Sequence, residues 1–278
     1  MITIRILETA DEMEQAEQMQ AIVWPGSDMD VVPGHMMTTA AHNGGLVFGA
    51  YEGEKMVGML FGFVGLYSTA DGLRPKHCSH QMGVHPDARD SGVGFALKRA
   101  QWQFVREQRL DLITWTYDPL LSRNAYLNIA RIGSVCNTYL RDLYGEMRDG
   151  LNVGLPSDRF QVDLWANSAR VEQRLGEQVR PALDRRDFQL LYEVKQVGDL
   201  TCPPASLGSL DGQKSVLAEI PSDFLSLKEI DFEAARDWRF FSREVFETCF
   251  ANGYLITDFL FENKAGQPRS FYVLTHAD

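Results

Sequence analysis

A glycine-rich polar stretch has the residue types and the spacing of an anion-binding loop. It runs from Gly83 to Gly94 and reads Gly-Val-His-Pro-Asp-Ala-Arg-Asp-Ser-Gly-Val-Gly. A short β-like run leads into it, and a helix with an apolar stripe follows it. A strand, a tight glycine turn and a helix start together present backbone N–H groups at the positive end of a helix dipole, which suits a diphosphate.

Two other glycine motifs that bind phosphates are excluded by the neighbouring residues. A Walker loop ends in Gly-Lys-Ser or Gly-Lys-Thr, whereas Phe95 and Ala96 follow Gly94 here. A dinucleotide fingerprint requires a third small residue at position 97, which is Leu97. The stretch therefore indicates a phosphate site of another kind.

The hexapeptide Arg89-Asp90-Ser91-Gly92-Val93-Gly94 resembles the Arg/Gln-x-x-Gly-x-Gly/Ala signature of the GCN5-related N-acetyltransferase (GNAT) superfamily. A strand ending Val84-His85-Pro86 precedes it, and the elements over residues 1–165 follow the order that this family uses. The resemblance implies that the hexapeptide binds the pyrophosphate of acetyl-CoA or another acyl-CoA. The alternative is a glycine-rich helix start that binds no ligand.

The resemblance, to a bacterial branch with a C-terminal extension, also implies the fold. We expect an α/β fold with a mixed, mostly antiparallel twisted sheet, a splayed parallel strand pair and flanking helices. Residues 1–165 would form a GNAT-like acyl-CoA-binding domain. Residues 166–278 would form an α+β C-terminal extension that packs on or near the acceptor side.

Local patterns predict individual elements. A capping box at residues 9–12 starts a helix, and residues 46–52 and 55–67 read as a β-hairpin that turns at Gly53. Residues 68–77 read as a loop. The helix after the glycine loop begins near Ser91. The remaining predicted elements are strands at 2–7, 78–84, 111–117, 134–144, 159–165, 188–197, 215–220, 254–261 and 270–274, and helices at 122–132, 167–187 and 231–251.

The helix after the glycine loop has one predicted apolar face. Its apolar stripe is expected at Val93, Ala96, Leu97, Ala100 and Phe104. Lys98, Arg99, Arg106 and Arg109 are expected largely off that stripe.

In the family that the sequence resembles, the pantetheine arm inserts between the splayed strands and pairs with the first of them. By position that strand is His80–Val84, and the pairing backbone groups would belong to Met82, Gly83 and Val84. Gly83 suits a place where another chain comes close, because it has no side chain. An ordinary strand glycine or a bulge is the alternative.

Acyl transfer to an amine requires a base, a group that holds the oxyanion, and a way to stabilise or protonate the thiolate. His80 is the candidate base, because an imidazole with a pKa near 6.5 can take an ammonium proton. A structural histidine is the alternative. Glu52 and Asp118 are weaker candidates, being single carboxylates at strand ends.

The resemblance implies a tyrosine four residues before the glycine that closes the helix at 122–132, where it would protonate the thiolate. Counting back from Gly133 gives Ile129. Tyr126, Asn128 or water are the alternatives for this step, and transfer would otherwise be slow or absent. Asn124 matches a position where the family often has an asparagine near the cofactor, although it also suits a helix cap.

Composition limits the possible partners. The chain has 278 residues and a net charge of −11, which disfavours nucleic acid and mildly favours a cationic acceptor. No apolar run is long enough to span a membrane, and the chain does not start with a signal peptide, so a cytoplasmic location is expected. The four scattered cysteines and the histidines show no metal-binding spacing. A homodimer is possible.

The sequence therefore predicts an acyl-CoA-dependent acyltransferase that moves an acetyl group onto an amine of a small molecule or peptide by direct attack. The acceptor would approach over residues 24–45 and the predicted loop at 68–77. The side chains expected there are Trp24, His35, Met36, Met37 and His42, and core packing is the alternative for the aromatic residue and the methionines. The alternative function is a CoA or acyl-CoA sensor or scaffold on a degenerate acetyltransferase fold.

Overall fold

A computed structural model describes residues 1–26, 30–147, 153–176, 182–197, 200–264 and 266–277. The chain packs as two compact units. The first comprises the described part of Met1–Trp115, Val153 and Asp163–Leu175. The second comprises Thr116–Met147, Gly154–Val162 and the described part of Gly176–Asp278. The domain division at residue 165 stays a prediction. Within the described residues, no helix has the length and apolar character needed to cross a bilayer.

The elements follow in chain order. The strands are β1 (Ile2–Ile6), β2 (Leu46–Glu52), β3 (Lys55–Thr69), β4 (Gly72–Val84), β5 (Leu112–Tyr117), β6 (Val135–Leu140), β7 (Arg159–Trp165), β8 (Gln189–Leu190), β9 (Lys195–Val197), β10 (Leu200–Cys202), β11 (Ser215–Ile220), β12 (Tyr254–Lys264) and β13 (Gln267–His276). The helices are α1 (Ala10–Val23), α2 (Gly34–His42), α3 (Val93–Glu107), α4 (Ser122–Ala125), α5 (Ala169–Leu175), α6 (Phe224–Ile230) and α7 (Phe232–Ala251). A π-helix, Tyr126–Arg131, continues α4.

The sheet of the first unit has the order β1-β2-β3-β4-β5. Its first four strands pair antiparallel, and β4 pairs parallel with β5. Apolar side chains cover both faces. On one face, Met59 and Phe61 pack in a cluster with residues of α1, and on the other Leu60 packs in a cluster with Val93 and Leu97 of α3. The mixed, mostly antiparallel α/β fold is as predicted.

Several local predictions for this unit are confirmed. Thr9 caps α1 in a full capping box with Glu12, and β2 and β3 form the expected hairpin. Gly53 sits in its turn with a φ of +61°, which glycine adopts without strain. The predicted loop at 68–77 is wrong, because β4 already begins at Gly72. Its first residues are exposed, so they lack the apolar alternation that marks a strand.

The second unit contains a sheet of order β6-β12-β13-β11-β8. Helix α7, with Asp231 as its N-cap, has a largely apolar buried face that carries Trp238 and Phe246. The predicted helix at 231–251, the strand at 215–220 and the C-terminal hairpin are confirmed. The predicted helix at 167–187 is shorter, Ala169–Leu175, and its residues 177–181 lie outside the described residues. The predicted strand at 188–197 divides into β8 and β9.

Candidate active site

The glycine loop forms an open turn at the start of α3. Gly92 is the N-cap residue, with a φ of +87°, and a Cβ atom at this position would meet nothing within 4 Å. Asp90 also has a positive φ, of +64°. Ser91 ties the turn to the preceding residues, since its Oγ donates to the Ala88 carbonyl oxygen at 2.6 Å. The helix thus begins two residues later than predicted, at Val93.

The first amides of this helix point away from protein acceptors. The Gly92 carbonyl accepts the helix's first hydrogen bond, from the Ala96 N–H at 3.0 Å. No described residue accepts a hydrogen bond from the backbone N–H groups of residues 91–94. Arg89 and residues 90–92 are exposed, whereas the Val93 side chain is buried in the core. The turn therefore offers several main-chain donors to an anion from solvent.

Strands β4 and β5 separate shortly after they meet. They pair at His77 with Ile113 and at Cys78 with Thr114, and both strands lie wholly within the described residues. Beyond Cys78, β4 continues to pair with β3 as far as Val84, but it has no further partner in β5. The separation leaves the backbone edge of residues 80–84 without a paired strand on one side. The predicted splayed parallel pair is therefore present.

A β-bulge in β4 lies at the start of this separated segment. Phe61 pairs with Gln81 and Gly62 pairs with Ser79, which leaves His80 as the extra residue. Beyond the bulge, a Cβ atom on Gly83 would come within 3.0 Å of Val23 at the end of α1. The chain that approaches Gly83 closely is thus α1 of the same unit. The pairing role of the Met82, Gly83 and Val84 backbone stays a prediction.

The His80 side chain packs against two aromatic rings at the edge of a pocket. Its ring centroid is 5.7 Å from that of Phe61 and 5.9 Å from that of Phe63. Although His80 is an exposed residue, partial desolvation of its ring lowers the pKa of His80. The imidazole is therefore mostly neutral at neutral pH, the form that accepts a proton.

The pocket beside His80 is apolar and has a volume of about 670 Å³. Its polar lining groups are Asp30, Thr39, Asn43 and His80. Its apolar walls are formed by Val31, Val32, Pro33, Met36, Ala40, Phe61, Phe63 and Val64. Of the side chains expected to face the acceptor, Met36 lines this pocket. Met37 is instead buried in the core on the α1 face, and Trp24, His35 and His42 are not among the lining residues.

The helix that carries the candidate acid residues changes its winding. It begins as α4 and becomes a π-helix at Tyr126, so side-chain positions no longer follow α-helical counting. Tyr126 is 38% exposed, whereas Asn128 and Ile129 are buried. The backbone carbonyl of Asn128 accepts from the Ser134 Oγ at 2.6 Å. The acid roles of Tyr126 and Asn128 stay predictions.

Asn124 does not cap this helix. The N-cap position is Leu121, and Asn124 is an exposed residue of the first turn. The helix-cap interpretation is therefore wrong, and its proposed place near the cofactor stays a prediction.

The two weaker candidates for the base have other environments. Glu52 is exposed at the end of β2. Asp118 is buried and pairs with Arg239, whose Nη1 lies 2.9 Å from the Asp118 Oδ1. Neither carboxylate is among the described residues that line the pocket beside His80, and the role of His80 as the base stays a prediction.

Sequence reasoning missed a buried lysine on α3. Lys98 was expected largely off the apolar stripe of α3, but it is 4% exposed and lies beneath β4. Its Nζ donates to the Ser79 Oγ at 2.8 Å and to the Gln101 Oε1 at 3.2 Å. Burial lowers the pKa of Lys98 to about 7. The spacing of Lys98 and Gln101 on one helix face was the available signal, but many exposed helices share it.

No family model and no curated protein matches the sequence. Solved structures to which the chain is similar include the ribosomal-protein-S18-alanine N-acetyltransferase from Escherichia coli. That match has 16% identity and a TM-score of 0.42, and covers 61% of this chain and 96% of that chain. A putative GNAT-family acetyltransferase from Desulfovibrio desulfuricans is 15% identical, with a TM-score of 0.45 and coverage of 60% and 99%. A putative acetyltransferase from Salmonella typhimurium, determined with its cofactor acetyl-CoA, is 14% identical, with a TM-score of 0.45 and coverage of 60% and 95%.

The first unit has a mixed α/β fold. The strand order of the first unit, the separation of β4 from β5 and the helix that follows the glycine loop are the features that the resemblance implied. The function has to be inferred from this chain's own residues.

Proposed function

We propose that this protein is an N-acyltransferase that moves an acyl group, most simply acetyl, from acyl-CoA to an amine. The observation that carries the proposal is the position of His80. A mostly neutral imidazole lines an apolar pocket at the point where β4 leaves β5. A base, a cavity for an acceptor and an open strand edge thus occur together in the first unit.

The cofactor would be held mainly by backbone. Its diphosphate would accept from the N–H groups at the start of α3, where the turn has room for phosphate oxygens. Arg89, exposed at the same turn, would add a charged contact. The pantetheine arm would lie along the unpaired edge of residues 80–84, and Asn124 would lie near the cofactor.

The reaction needs no covalent enzyme intermediate. The amine nitrogen attacks the thioester carbon while His80 takes the amine proton, directly or through water. The tetrahedral intermediate then collapses, the C–S bond breaks and CoA leaves as a thiolate. A proton then reaches the thiolate, from Tyr126, Asn128 or water in the sequence-based prediction, and the products are an amide and CoA.

The pocket supports an acceptor with an apolar body. Its walls are mostly aliphatic and aromatic, and none of the described residues that line it is a lysine or an arginine. The Asp30 carboxylate in its lining would favour a cationic ammonium group over an anion. We expect a small molecule, or the end of a peptide, whose amine carries an apolar group.

A thiol-release assay with acetyl-CoA and a panel of amines tests this function. We expect turnover with apolar primary amines, and His80→Ala should abolish most of it while CoA binding is retained. Binding is measured by thermal unfolding, since CoA at a hundred times its Kd adds about 2.7 kcal/mol of stability. No shift with CoA or acetyl-CoA would refute the cofactor assignment.

A second candidate is an acyl-CoA sensor or scaffold. Buried Ile129, at the position where the resemblance implies a tyrosine, favours it. This candidate predicts a clear thermal shift with acetyl-CoA and no thiol release with any amine. Transfer that His80→Ala removes without changing CoA affinity would exclude it.

A further inference from the structure

The Lys98 ammonium is buried without a counter-charge. Within the described part of the chain, no carboxylate forms an ion pair with it, and its hydrogen-bond acceptors are Ser79 and Gln101. Its Nζ lies 3.7 Å from the centroid of the Trp115 ring, a contact that favours the charged form. A buried cation without a carboxylate is costly for folding, and such groups occur preferentially at functional sites.

Lys98 is placed at the vertex of the β4–β5 separation. The last paired residues of the two strands are Cys78 and Thr114. The next residue on β4 is Ser79, which accepts from Lys98, and the next residue on β5 is Trp115, whose ring lies under the ammonium. The lysine therefore reaches from α3 to the place where the strands open.

Several buried nitrogen atoms near this ammonium have no hydrogen-bond partner among the described residues. The Trp115 Nε1–H and the Gln101 Nε2 are buried and have no hydrogen-bond partner among the described residues. Both ring nitrogens of His77, which is fully buried on β4, also lack one. A cation beside unpaired N–H groups suits an electronegative atom from outside the protein.

We propose that the Lys98 ammonium, held at the vertex of the separation by Ser79 and Gln101, stabilises the CoA thiolate as it leaves the acyl group. This inference rests on the proposed function, because it requires the pantetheine arm along residues 80–84. When the C–S bond breaks, the electron pair stays on sulfur, and the ammonium lowers the free energy of that charge. The amine proton has meanwhile gone to His80.

This role explains how transfer can proceed with Ile129 in place of the tyrosine. A thiolate that is stabilised as an anion leaves without being protonated in the same step. With a pKa of about 7, a large fraction of Lys98 is charged at neutral pH. A thiolate beside the lysine would raise this pKa again and so increase the charged fraction. The charged lysine and the leaving thiolate thus stabilise each other's charged form.

Few other titratable groups face this position. His77 faces it from β4, and the charge of Lys98 contributes to the lowered pKa of His77. Residues 112–115 of β5 and the residues at 58, 60 and 62 of β3 carry no ionisable side chain. On α3 the contacting residue, Gln101, is neutral. Asp163 on β7 has Lys76 as its charged neighbour.

The test is the pKa of the CoA thiol in its complex with the protein, followed through the ultraviolet absorbance of the thiolate. In the wild type we expect this pKa to lie below that of free CoA. Lys98→Met should raise it by about one unit or more, which is a tenfold change in the thiol–thiolate equilibrium. The affinity for desulfo-CoA, which has no thiol, should stay the same in both proteins.

Ser79→Ala is the second variant, because it removes the acceptor that positions Nζ and keeps the lysine. It should raise the thiol pKa by a smaller amount, and it replaces Lys98→Met if that protein does not fold. A thiol pKa that equals that of free CoA in the wild type, or that neither variant changes, overturns the inference. If CoA does not bind at all, the proposed function fails and takes the inference with it. Binding with an unshifted thiol leaves the proposed function standing.

Discussion

Strand β4 carries two histidines whose surroundings differ completely. His77 is fully buried, and neither ring nitrogen has a partner among the described residues. His80 lines the 670 Å³ pocket and is an exposed residue. Burial lowers the pKa of both rings, yet only the second has room for a substrate. A lowered pKa alone therefore does not identify a base, and access decides the role.

The β-bulge changes which residues of β4 face α1 and which face α3. Before it, Ser79 lies on the face that α3 covers, where Lys98 reaches it. After it, Met82 packs with the α3-facing cluster, and Gly83 faces Val23 of α1. Strict alternation from Ser79 would have placed Gly83 on the α3 side. The extra residue reverses the alternation and leaves His80 at the pocket.

The largest expected effect separates the two histidines by activity. His80→Ala should lower kcat with acetyl-CoA about 10²–10⁴-fold, because it removes the group that accepts the amine proton. The thermal shift produced by CoA should stay within experimental error. His77→Leu is the matched variant and should keep most of the activity. Equal losses in both variants would contradict the contrast between the two residues.

The next effect is the contribution of His77 to the pH dependence of the unfolding free energy. Burial lowers the pKa of His77 to about 4, from an ordinary value of 6.5. As the pH falls from 6.5 to 4, the unfolded chain takes up this proton before the folded chain does, so stability is lost. The difference of about 2.5 pKa units corresponds to roughly 3 kcal/mol.

Urea unfolding across this pH range should show a shallower fall in unfolding free energy for His77→Leu than for the wild type. The comparison of the two proteins removes the contribution of the carboxylates, which titrate in both. Identical slopes would mean that the ring takes up its proton at the same pH in the folded and the unfolded protein.

A smaller effect tests the glycine turn. Gly92→Val should weaken CoA binding by about tenfold or more, because its side chain would fill the space that phosphate requires and strain a φ of +87°. Gly72→Val is the control, since Gly72 also has a positive φ, of +112°, and open space around its Cβ position, but lies in the β3–β4 turn. Isothermal titration should show full affinity for the control and weak binding for Gly92→Val. Arg89→Ala should cost less affinity, since the main-chain donors remain.

The smallest effect tests the close approach of α1 to Gly83, which follows from the bulge at His80. Gly83→Ala places a Cβ atom 3.0 Å from the Val23 side chain, and overpacking of this kind costs about 1 kcal/mol or somewhat more. The midpoint of thermal unfolding should fall by a few degrees. An unchanged midpoint would show that α1 moves away at little cost.

Local signals predicted the elements whose cause is local. The capping box at Thr9 and the turn at Gly53 each depend on a few neighbouring residues. The start of β4 was missed because residues 72–75 are exposed and their strand conformation comes from pairing with β3. The π-helix at Tyr126 was missed because the sequence at 122–132 reads as an ordinary helix.

The sequence by itself determined the glycine turn, because the break at His85-Pro86 and the positive φ at Gly92 are properties of adjacent residues. The sequence also predicted the fold class, through the resemblance carried by residues 89–94 and the order of the predicted elements. The tertiary structure decided the burial of Lys98 and the pocket beside His80. Both depend on contacts between residues far apart in the chain, such as Lys98 with Ser79, and no local pattern encodes which distant segment will cover a side chain.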